Sequence, residues 1–264
     1  MSLEGTPAAD FAEVTELAGS RISAEQLTRM EHRYGWAADH CVQKDVVEVA
    51  CGSGQGLGML QRVSRSIEAG DYTESILKMA RDHYGDRIPL SRIDAQALPY
   101  ADASKDVVIL FEAIYYVPDA ARFARECRRV LRPGGQVLIA TANKDLYDFN
   151  PSPMSTRYYG TVELAQLFHD AGFTAEMSGY MPIGAVSLRQ RVLRPVKRMA
   201  VALGLMPKSL KGKRFLKRFV FGSLVPMPAE LPSTAAPIER PVPIPSDTPN
   251  RLYKVLYCCA TRAA

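Results

Sequence analysis

Three glycines and a later carboxylate have the spacing of a nucleotide-binding turn. Gly52, Gly54 and Gly56 follow the apolar run at 46–50 and come just before a helix-like segment. Glycine lets the backbone approach a ligand closely because no Cβ intervenes, and α/β proteins bind ligands at such strand-to-helix turns. Asp71 lies 15 residues past Gly56, where a carboxylate can accept both hydroxyls of a ribose. The pattern predicts a nucleoside-containing cofactor and suits NAD and S-adenosylmethionine equally well.

The segment around Asp94 distinguishes these two cofactors. It reads DAQALPY at 94–100, and KDVV follows at 105–108. This layout resembles the small-molecule group of class I S-adenosylmethionine-dependent methyltransferases, which carry D-A-x-x-L-P-F and then F-D-V-V. The family pattern V-L-[DE]-x-G-C-G-x-G-x-G is similar to residues 46–56, with Ala50 in place of the first glycine, and L-[KR]-P-G-G is similar to residues 131–135. The resemblance covers residues 45 to about 179 in the correct order.

The resemblance implies S-adenosylmethionine as the cofactor and a role for each matching residue. Glu48 and the backbone at 51–54 would hold the amino-acid end of the cofactor, Asp71 its ribose and Asp94 its adenine. Phe111 and Glu112 would lie beside the transferable methyl group. Phe111 also fits a plain core position, and Glu48 also fits a buried carboxylate satisfied by backbone N–H groups. The N-terminal stretch RYGW resembles the cap helix of some family members. The implied cofactor-binding residues are Tyr34, Glu48, Cys51, Gly52, Gly54, Gly56, Asp71, Asp94, Ala95 and Phe111.

Catalysis of methyl transfer depends mainly on positioning, because the reaction is an in-line displacement from a sulfonium. A general base is needed only for an acceptor that is protonated at the working pH. The catalytic candidates follow the fourth predicted strand or end it, and they are Glu112, Tyr115 and Tyr116. No cluster of Asp, Glu or His has metal-ligand spacing near them, which predicts a metal-independent reaction.

The segment at 146–160 is the predicted site of acceptor contacts. A guanidinium pairs with phosphate or carboxylate, and aromatic rings stack on sugars. An ordinary connecting loop is the alternative interpretation. The predicted substrate-binding residues are Arg157, Tyr158 and Tyr159.

The elements that must position these residues alternate between short apolar runs and amphipathic segments of helical length. This alternation predicts an α/β fold with a Rossmann-like, doubly wound sheet of seven strands, the last of them antiparallel. The predicted strands are 45–50, 65–70, 88–94, 106–112, 136–142, 173–181 and 251–260. Two helices, 8–19 and 24–40, are predicted ahead of the sheet. The predicted organisation is an N-terminal helical cap (1–44), a cofactor-binding core (45–182), a basic, Pro-rich insert (183–250), and the final strand with its tail (251–264).

The insert concentrates the positive charge of the chain, whose formal net charge is +5. Residues 177–229 contain eleven Lys or Arg and no Asp or Glu, and eight prolines follow at 226–249. Basic and aliphatic residues at 187–222 have the composition of a peripheral helix on an anionic membrane. A lid over the site and a basic face that attracts phosphorylated molecules are the competing interpretations. Nucleic acid is disfavoured, because aliphatic residues stand where base-stacking aromatics would be expected.

The overall composition predicts a cytoplasmic protein. Peripheral association with the inner face of the membrane is compatible with this prediction. No apolar run approaches the roughly 18 residues of a spanning helix, and the five cysteines lack metal-binding spacing, which predicts reduced thiols with packing roles. The sequence therefore predicts methyl transfer to a small-molecule or saccharide acceptor, including lipid-linked acceptors and sugar nucleotides. The alternatives are a non-catalytic methyltransferase-like binding module and an NAD-dependent oxidoreductase.

Overall fold

The computed structural model describes residues 11–13, 15–152, 154–183, 199, 224–232 and 239–263. Its described helices are α1 (Ala24–Cys41), α2 (Leu57–Gln61), α3 (Glu74–Tyr84), α4 (Ala120–Val130) and α5 (Thr161–Asp170). Its described strands are β1 (Arg21–Ser23), β2 (Asp45–Val49), β3 (Ser66–Asp71), β4 (Leu90–Arg92), β5 (Lys105–Phe111), β6 (Leu131–Ala142), β7 (Phe173–Pro182), β8 (Leu224–Pro226), β9 (Val242–Ile244) and β10 (Tyr253–Arg262).

The main sheet has the strand order β4-β3-β2-β5-β6-β10-β7-β9. Neighbouring strands from β4 to β6 are parallel, and β10 enters antiparallel between β6 and β7. The predicted Rossmann-like α/β fold and its antiparallel last strand are confirmed. The chain leaves β2 for β3 on one side and reaches β5 on the other, so the strand order reverses beside β2. Ligands of open α/β sheets bind at such a reversal.

The described part of the sheet has eight strands rather than the predicted seven. The additional strand is β9, which pairs antiparallel with β7 at the edge of the sheet. A strand containing Pro243 is tolerated there because an edge strand does not need every backbone N–H for the ladder. The sequence missed β9 because three residues with a central proline carry almost no strand signal.

The predicted helix over 8–19 is wrong in its described part. Phe11–Glu13 form a single 3₁₀ turn, and the chain then leads into β1, which pairs antiparallel with β8. Residues 8–10 and 14 lie outside the described residues. The predicted helix over 24–40 corresponds to α1, which begins with a capping box formed by Ser23 and Gln26. The local sequence at 15–23 did not indicate β1, because this strand depends on pairing with β8, about two hundred residues away in the chain.

Helices cover both faces of the main sheet. Helices α4 and α5 pack on one face, where Phe123 and Phe168 are fully buried. Helices α1, α2 and α3 pack on the other, where Leu57 and Tyr84 are among the buried residues. All five cysteines are buried and unpaired. Among the described residues, no helix is long and apolar enough to cross a membrane.

Candidate functional site

A cavity of about 520 Å³ lies at the carboxyl ends of four parallel strands. Its wall consists of residues 49–52 after β2, 71–72 after β3, 93–96 after β4 and 110–113 after β5. The carboxyl ends of parallel strands meet at one edge of the sheet, and this is where doubly wound folds bind their ligands. Helix α1, the segment that precedes it, Gln55 and residues 115–118 complete the lining.

The cavity brings together ten of the predicted site residues and leaves six outside its lining. The ten lining residues are Tyr34, Cys51, Gly52, Asp71, Asp94, Ala95, Phe111, Glu112, Tyr115 and Tyr116. The six outside the lining are Glu48, Gly54, Gly56, Arg157, Tyr158 and Tyr159.

Glycine occupies the three positions of the turn for different structural reasons. Gly52 lines the cavity with φ +61°, a left-handed conformation that glycine adopts without steric cost. A Cβ on Gly54 would lie 2.9 Å from the Tyr84 ring, and a Cβ on Gly56 would overlap the Tyr34 ring. Gly54 also has φ +84°, so both its backbone conformation and its packing favour glycine, whereas Gly56 is required by packing against Tyr34 alone. Among these three glycines only Gly52 lines the cavity.

Asp71 connects the glycine turn to the third strand. Its Oδ2 accepts the backbone N–H of Gly52 at 3.0 Å, and its Oδ1 accepts that of Thr73 at 2.9 Å. The carboxyl is buried, and burial raises its pKa despite these hydrogen bonds. The backbone of Tyr72 also donates to this carboxylate, which has about four acceptor positions, so about one position remains free. The side chain is thus fixed in place and retains acceptor capacity toward the cavity.

Asp94 occupies the equivalent position after β4. Its Oδ1 accepts the backbone N–H of Gln96 at 2.8 Å and the Gln96 Nε2 at 3.3 Å. Its Oδ2 has no hydrogen-bond partner among the described residues. Ala95 lines the cavity beside it. This end of the cavity therefore presents one available carboxylate oxygen.

Glu48 does not line the cavity but forms a hydrogen bond with Tyr34, which does. The Tyr34 hydroxyl donates to Glu48 Oε1 at 2.5 Å, while Glu48 Oε2 is buried without a hydrogen-bond partner among the described residues. Burial raises the pKa of Glu48 to about 7, although the Tyr34 hydrogen bond and the nearby Arg33 oppose this shift. The Tyr34 ring in turn meets the Phe111 ring edge-on, with 5.4 Å between ring centroids.

Glu112 lies at the end of β5 with two polar neighbours. Its Oε2 accepts the Tyr115 hydroxyl at 3.2 Å, and its Oε1 lies 3.8 Å from a guanidinium nitrogen of Arg33. Burial raises the pKa of Tyr115 well above its ordinary value, so this phenol remains a donor. Glu112 has φ +50°, and Ala50, which follows the neighbouring strand β2, has φ +58°. Non-glycine residues in this conformation are uncommon and cluster at functional sites.

Aromatic side chains form the wall beyond Glu112. Tyr116 and Phe11 line the cavity with 5.2 Å between their ring centroids. Tyr158 stacks on the outer side of Tyr115 at 4.2 Å and does not line the cavity. Tyr158 thus supports a lining residue from behind.

Arg157 is not in contact with the cavity. Its side chain is 63% exposed, lies 3.5 Å from Glu163 and places its guanidinium carbon 5.1 Å from the Tyr159 ring centroid. The backbone N–H of Thr156 donates to the Tyr115 carbonyl at 2.8 Å, which holds this segment behind the cavity wall. The segment follows β6 in the chain, but this position does not indicate on which side of the cavity wall the segment lies.

Sequence reasoning missed a row of residues on α1 and residues from the segment before it. The row lines the cavity at helical spacing, which is a signal that the sequence contains. The missed residues are Phe11, Thr15, Glu16, Gln26, Arg29, Met30 and Arg33. Within the described ranges, no group of three or more His, Cys, Asp or Glu is placed to hold a metal ion.

Comparison with known proteins identifies the central part of the chain. The family described as "Methyltransferase domain" matches residues 47–139. A probable S-adenosylmethionine-dependent methyltransferase of Mycobacterium tuberculosis is 38% identical over 144 residues, which are 53% of this chain and 52% of that protein. A ubiquinone biosynthesis O-methyltransferase of Sinorhizobium medicae is 31% identical over 38% of this chain and 42% of its own. The chain spans about half the length of the curated relatives it matches.

Solved structures share the fold at low sequence identity. A methyltransferase from Thermotoga maritima, described as S-adenosylmethionine-dependent, has a TM-score of 0.57 at 15% identity and covers 90% of this chain and 92% of its own. The [4+2]-cyclase SpnF has a TM-score of 0.58 at 17% identity and covers 95% and 88%. The family match thus assigns residues 47–139 to a methyltransferase domain, and these structures show that the chain shares their fold.

Proposed function

We propose that this chain transfers a methyl group from S-adenosylmethionine to a small-molecule or saccharide acceptor, including lipid-linked acceptors and sugar nucleotides. The observation that carries the proposal is the single cavity in which the glycine turn, Asp71, Asp94 and the end of β5 meet. The similarity to probable S-adenosylmethionine-dependent methyltransferases supports the cofactor. Relatives named for ubiquinone biosynthesis and for phthiotriol dimycocerosates support a lipid-linked acceptor.

The residues of the cavity fit S-adenosylmethionine. Asp71 has fixed oxygens with remaining acceptor capacity, which suits a ribose hydroxyl. The Oδ2 of Asp94 suits an amine donor such as that of adenine. Gly52 presents backbone without a side chain to the cavity, which suits the amino-acid end. Tyr34 and Phe111 supply the apolar contacts near the position proposed for the transferable methyl group.

When bound, S-adenosylmethionine supplies a methyl group on a sulfonium whose leaving group is a neutral thioether, so the proposal requires no metal. The protein must then hold the acceptor in line and exclude water. For a hydroxyl acceptor, we assign Glu112 as the group that takes the proton at Oε1 or Oε2. The Tyr115 hydroxyl orients this carboxylate, and Tyr116 lines the acceptor side of the cavity.

The cofactor assignment can be tested by calorimetric titration with S-adenosylmethionine, S-adenosylhomocysteine and NAD. Asp71→Asn and Asp94→Asn should each weaken binding of the first two at least tenfold, because hydrogen bonds to charged groups contribute about 1.5 to 3 kcal/mol. Asp82→Asn is the matched control, since Asp82 is exposed and pairs with Lys78 on the surface of α3. Binding of NAD alone, or unchanged affinity in both cavity variants, would contradict the assignment.

A second candidate is a protein of this fold that binds the cofactor without transferring its methyl group. The similarity in fold to a [4+2]-cyclase favours keeping it, because one fold supports several chemistries. Incubation with methyl-labelled cofactor and extracts of small molecules and lipids separates the two. Label in any acceptor supports methyl transfer, whereas cofactor binding without labelled product in either fraction supports the second candidate.

Peripheral membrane contact remains a proposal from the composition of residues 187–222, of which the structure describes only residue 199. Eleven Lys or Arg without Asp or Glu at 177–229 support it. Sedimentation with anionic and neutral vesicles provides the test. Binding to anionic vesicles that weakens at high salt is the expected result. Equal recovery with both kinds of vesicle would contradict the proposal.

A further inference from the structure

Two arginines of α1 face the proposed acceptor end of the cavity. Arg29 and Arg33 are separated by one helical turn, and both line the cavity beside Gln26 and Met30. Residues four apart on a helix lie on the same face, with about 5 to 6 Å between their Cβ atoms. Two guanidinium groups at this spacing can contact one carboxylate or phosphate from both sides.

Neither arginine is fully paired within the described residues. The Nε atoms of Arg29 and Arg33 are both buried without a hydrogen-bond partner. The ion pair of Arg33 with Glu112 is long, at 3.8 Å, and the described residues provide no salt bridge to Arg29. Buried unpaired donors on charged groups are costly, so a partner that satisfies them would bind favourably.

We propose that Arg29 and Arg33 bind an anionic group of the methyl acceptor, a carboxylate or a phosphate. This inference rests on the proposed function and specifies its substrate class. The aromatic rings of Phe11 and Tyr116, which line the same cavity, suit a ring or another apolar body attached to that group. The carboxylate of the cofactor has the same chemistry, so the experiment must separate the two sources.

The test uses benzoate and phenyl phosphate as anionic probes and benzamide as the neutral probe. Each probe is titrated into the full chain saturated with S-adenosylhomocysteine, which occupies the cofactor's own carboxylate position. We expect at least one anionic probe to bind tenfold more tightly than benzamide. Arg29→Met and Arg33→Met should each weaken that binding about tenfold and leave the affinity for S-adenosylhomocysteine within threefold. Arg125→Met, which removes an exposed arginine of α4, should change neither affinity.

Two outcomes would overturn the proposal. One is that neither anionic probe binds more tightly than benzamide. The other is that both cavity variants lose tenfold in S-adenosylhomocysteine affinity while probe affinity is unchanged, because the arginines would then bind the cofactor. If either methionine variant fails to fold, Arg29→Lys and Arg33→Lys keep the charge but lose the planar two-point contact, and a threefold or greater loss of probe affinity is expected. If the wild-type chain binds no S-adenosylhomocysteine, the proposed function fails, and the same probe titrations on the cofactor-free chain judge the arginines separately.

Discussion

The aromatic ring of Tyr34 lies directly on Gly56, so close that a Cβ on the glycine would overlap the ring. The Tyr34 hydroxyl is held at the same time by Glu48, at 2.5 Å. Gly56, the third glycine of the motif, therefore provides the surface against which the cavity-lining Tyr34 ring packs. This contact links α1 to the glycine turn of the methyltransferase domain.

Replacing Gly56 with alanine should destabilise the protein by about 2 to 3 kcal/mol, because inserting a methyl group into a packed site forces side chains or backbone to shift. Urea unfolding measures the change. In a Tyr34→Ala background the same substitution should cost less than about 1 kcal/mol, whereas Tyr34→Phe keeps the ring and should keep the full cost. An equal cost in all three backgrounds would show that the ring is not the cause.

Glu48 makes the stability of the cofactor-free protein depend on pH. Its pKa is about 7 in the folded state and near 4.5 when unfolded, mainly because burial disfavours the charged carboxylate. The unfolded state therefore binds fewer protons between pH 4.5 and 7, and the stability from this group falls as pH rises through that window. Glu48→Gln should remove this loss and stabilise the protein at pH 8 by about 2 to 3 kcal/mol.

Urea unfolding of the wild type and Glu48→Gln at pH 5, 6, 7 and 8 checks this prediction. The glutamine oxygen can still accept the Tyr34 hydroxyl, so the packing is preserved. Glu74→Gln changes an exposed carboxylate and serves as the control, with an unchanged dependence on pH. A parallel decline of stability for the wild type and Glu48→Gln from pH 5 to 8 would show that Glu48 is ionised in the folded state.

The central strands and the two cavity carboxylates Asp71 and Asp94 could be predicted from the sequence for physical reasons. Strands buried on both faces appear as mainly apolar runs, as at 46–49 and 107–111. Asp71 directly follows one strand predicted from the sequence and Asp94 ends another, so the position of each strand end also placed its carboxylate at the carboxyl edge of the sheet. Local sequence contained both pieces of information.

The remaining features depend on contacts that local sequence does not contain. Strands β1, β8 and β9 have three residues each and exist because distant segments pair with them. Arg157 follows β6 in the chain, but the path of its loop is fixed by hydrogen bonds to the Tyr115 carbonyl. Arg29 and Arg33 lie on a helix whose buried face is shared between core and cavity, and periodicity alone does not separate the two.

Neutralising Glu112 should change two measurements in opposite directions. Glu112→Gln removes a negative charge 3.8 Å from Arg33, so phenyl phosphate should bind two- to fivefold more tightly to the protein loaded with S-adenosylhomocysteine. Methyl transfer to a hydroxyl acceptor should fall about 100-fold, because a positioned base contributes roughly 10² to 10⁴ to such rates. Tyr115→Phe keeps the carboxylate and should lower the rate only a few-fold. Weaker probe binding together with an unchanged rate would contradict both roles of Glu112.

The segment at 224–232, here called the strap, should stabilise the conformation of the glycine turn. Leu231 is 1% exposed, and its backbone N–H donates to the carbonyl of Gln55 at 2.7 Å. Glu230 in the same strap contacts Arg87 at 2.8 Å and His83 at 3.0 Å. The strap is thus fastened to α2, α3 and the turn that lines the cavity.

Leu231→Ala should release the strap locally, since burying a leucine contributes about 2 to 5 kcal/mol. Hydrogen exchange should accelerate together at 224–232 and 52–58, and S-adenosylhomocysteine should bind several-fold more weakly because Gly52 and Gln55 line the cavity. Leu252→Ala removes a leucine that is 65% exposed and should leave both measurements unchanged. If exchange accelerates in the strap but not in the glycine turn, the turn is held by its own contacts with Asp71, and the strap serves only to cover α2.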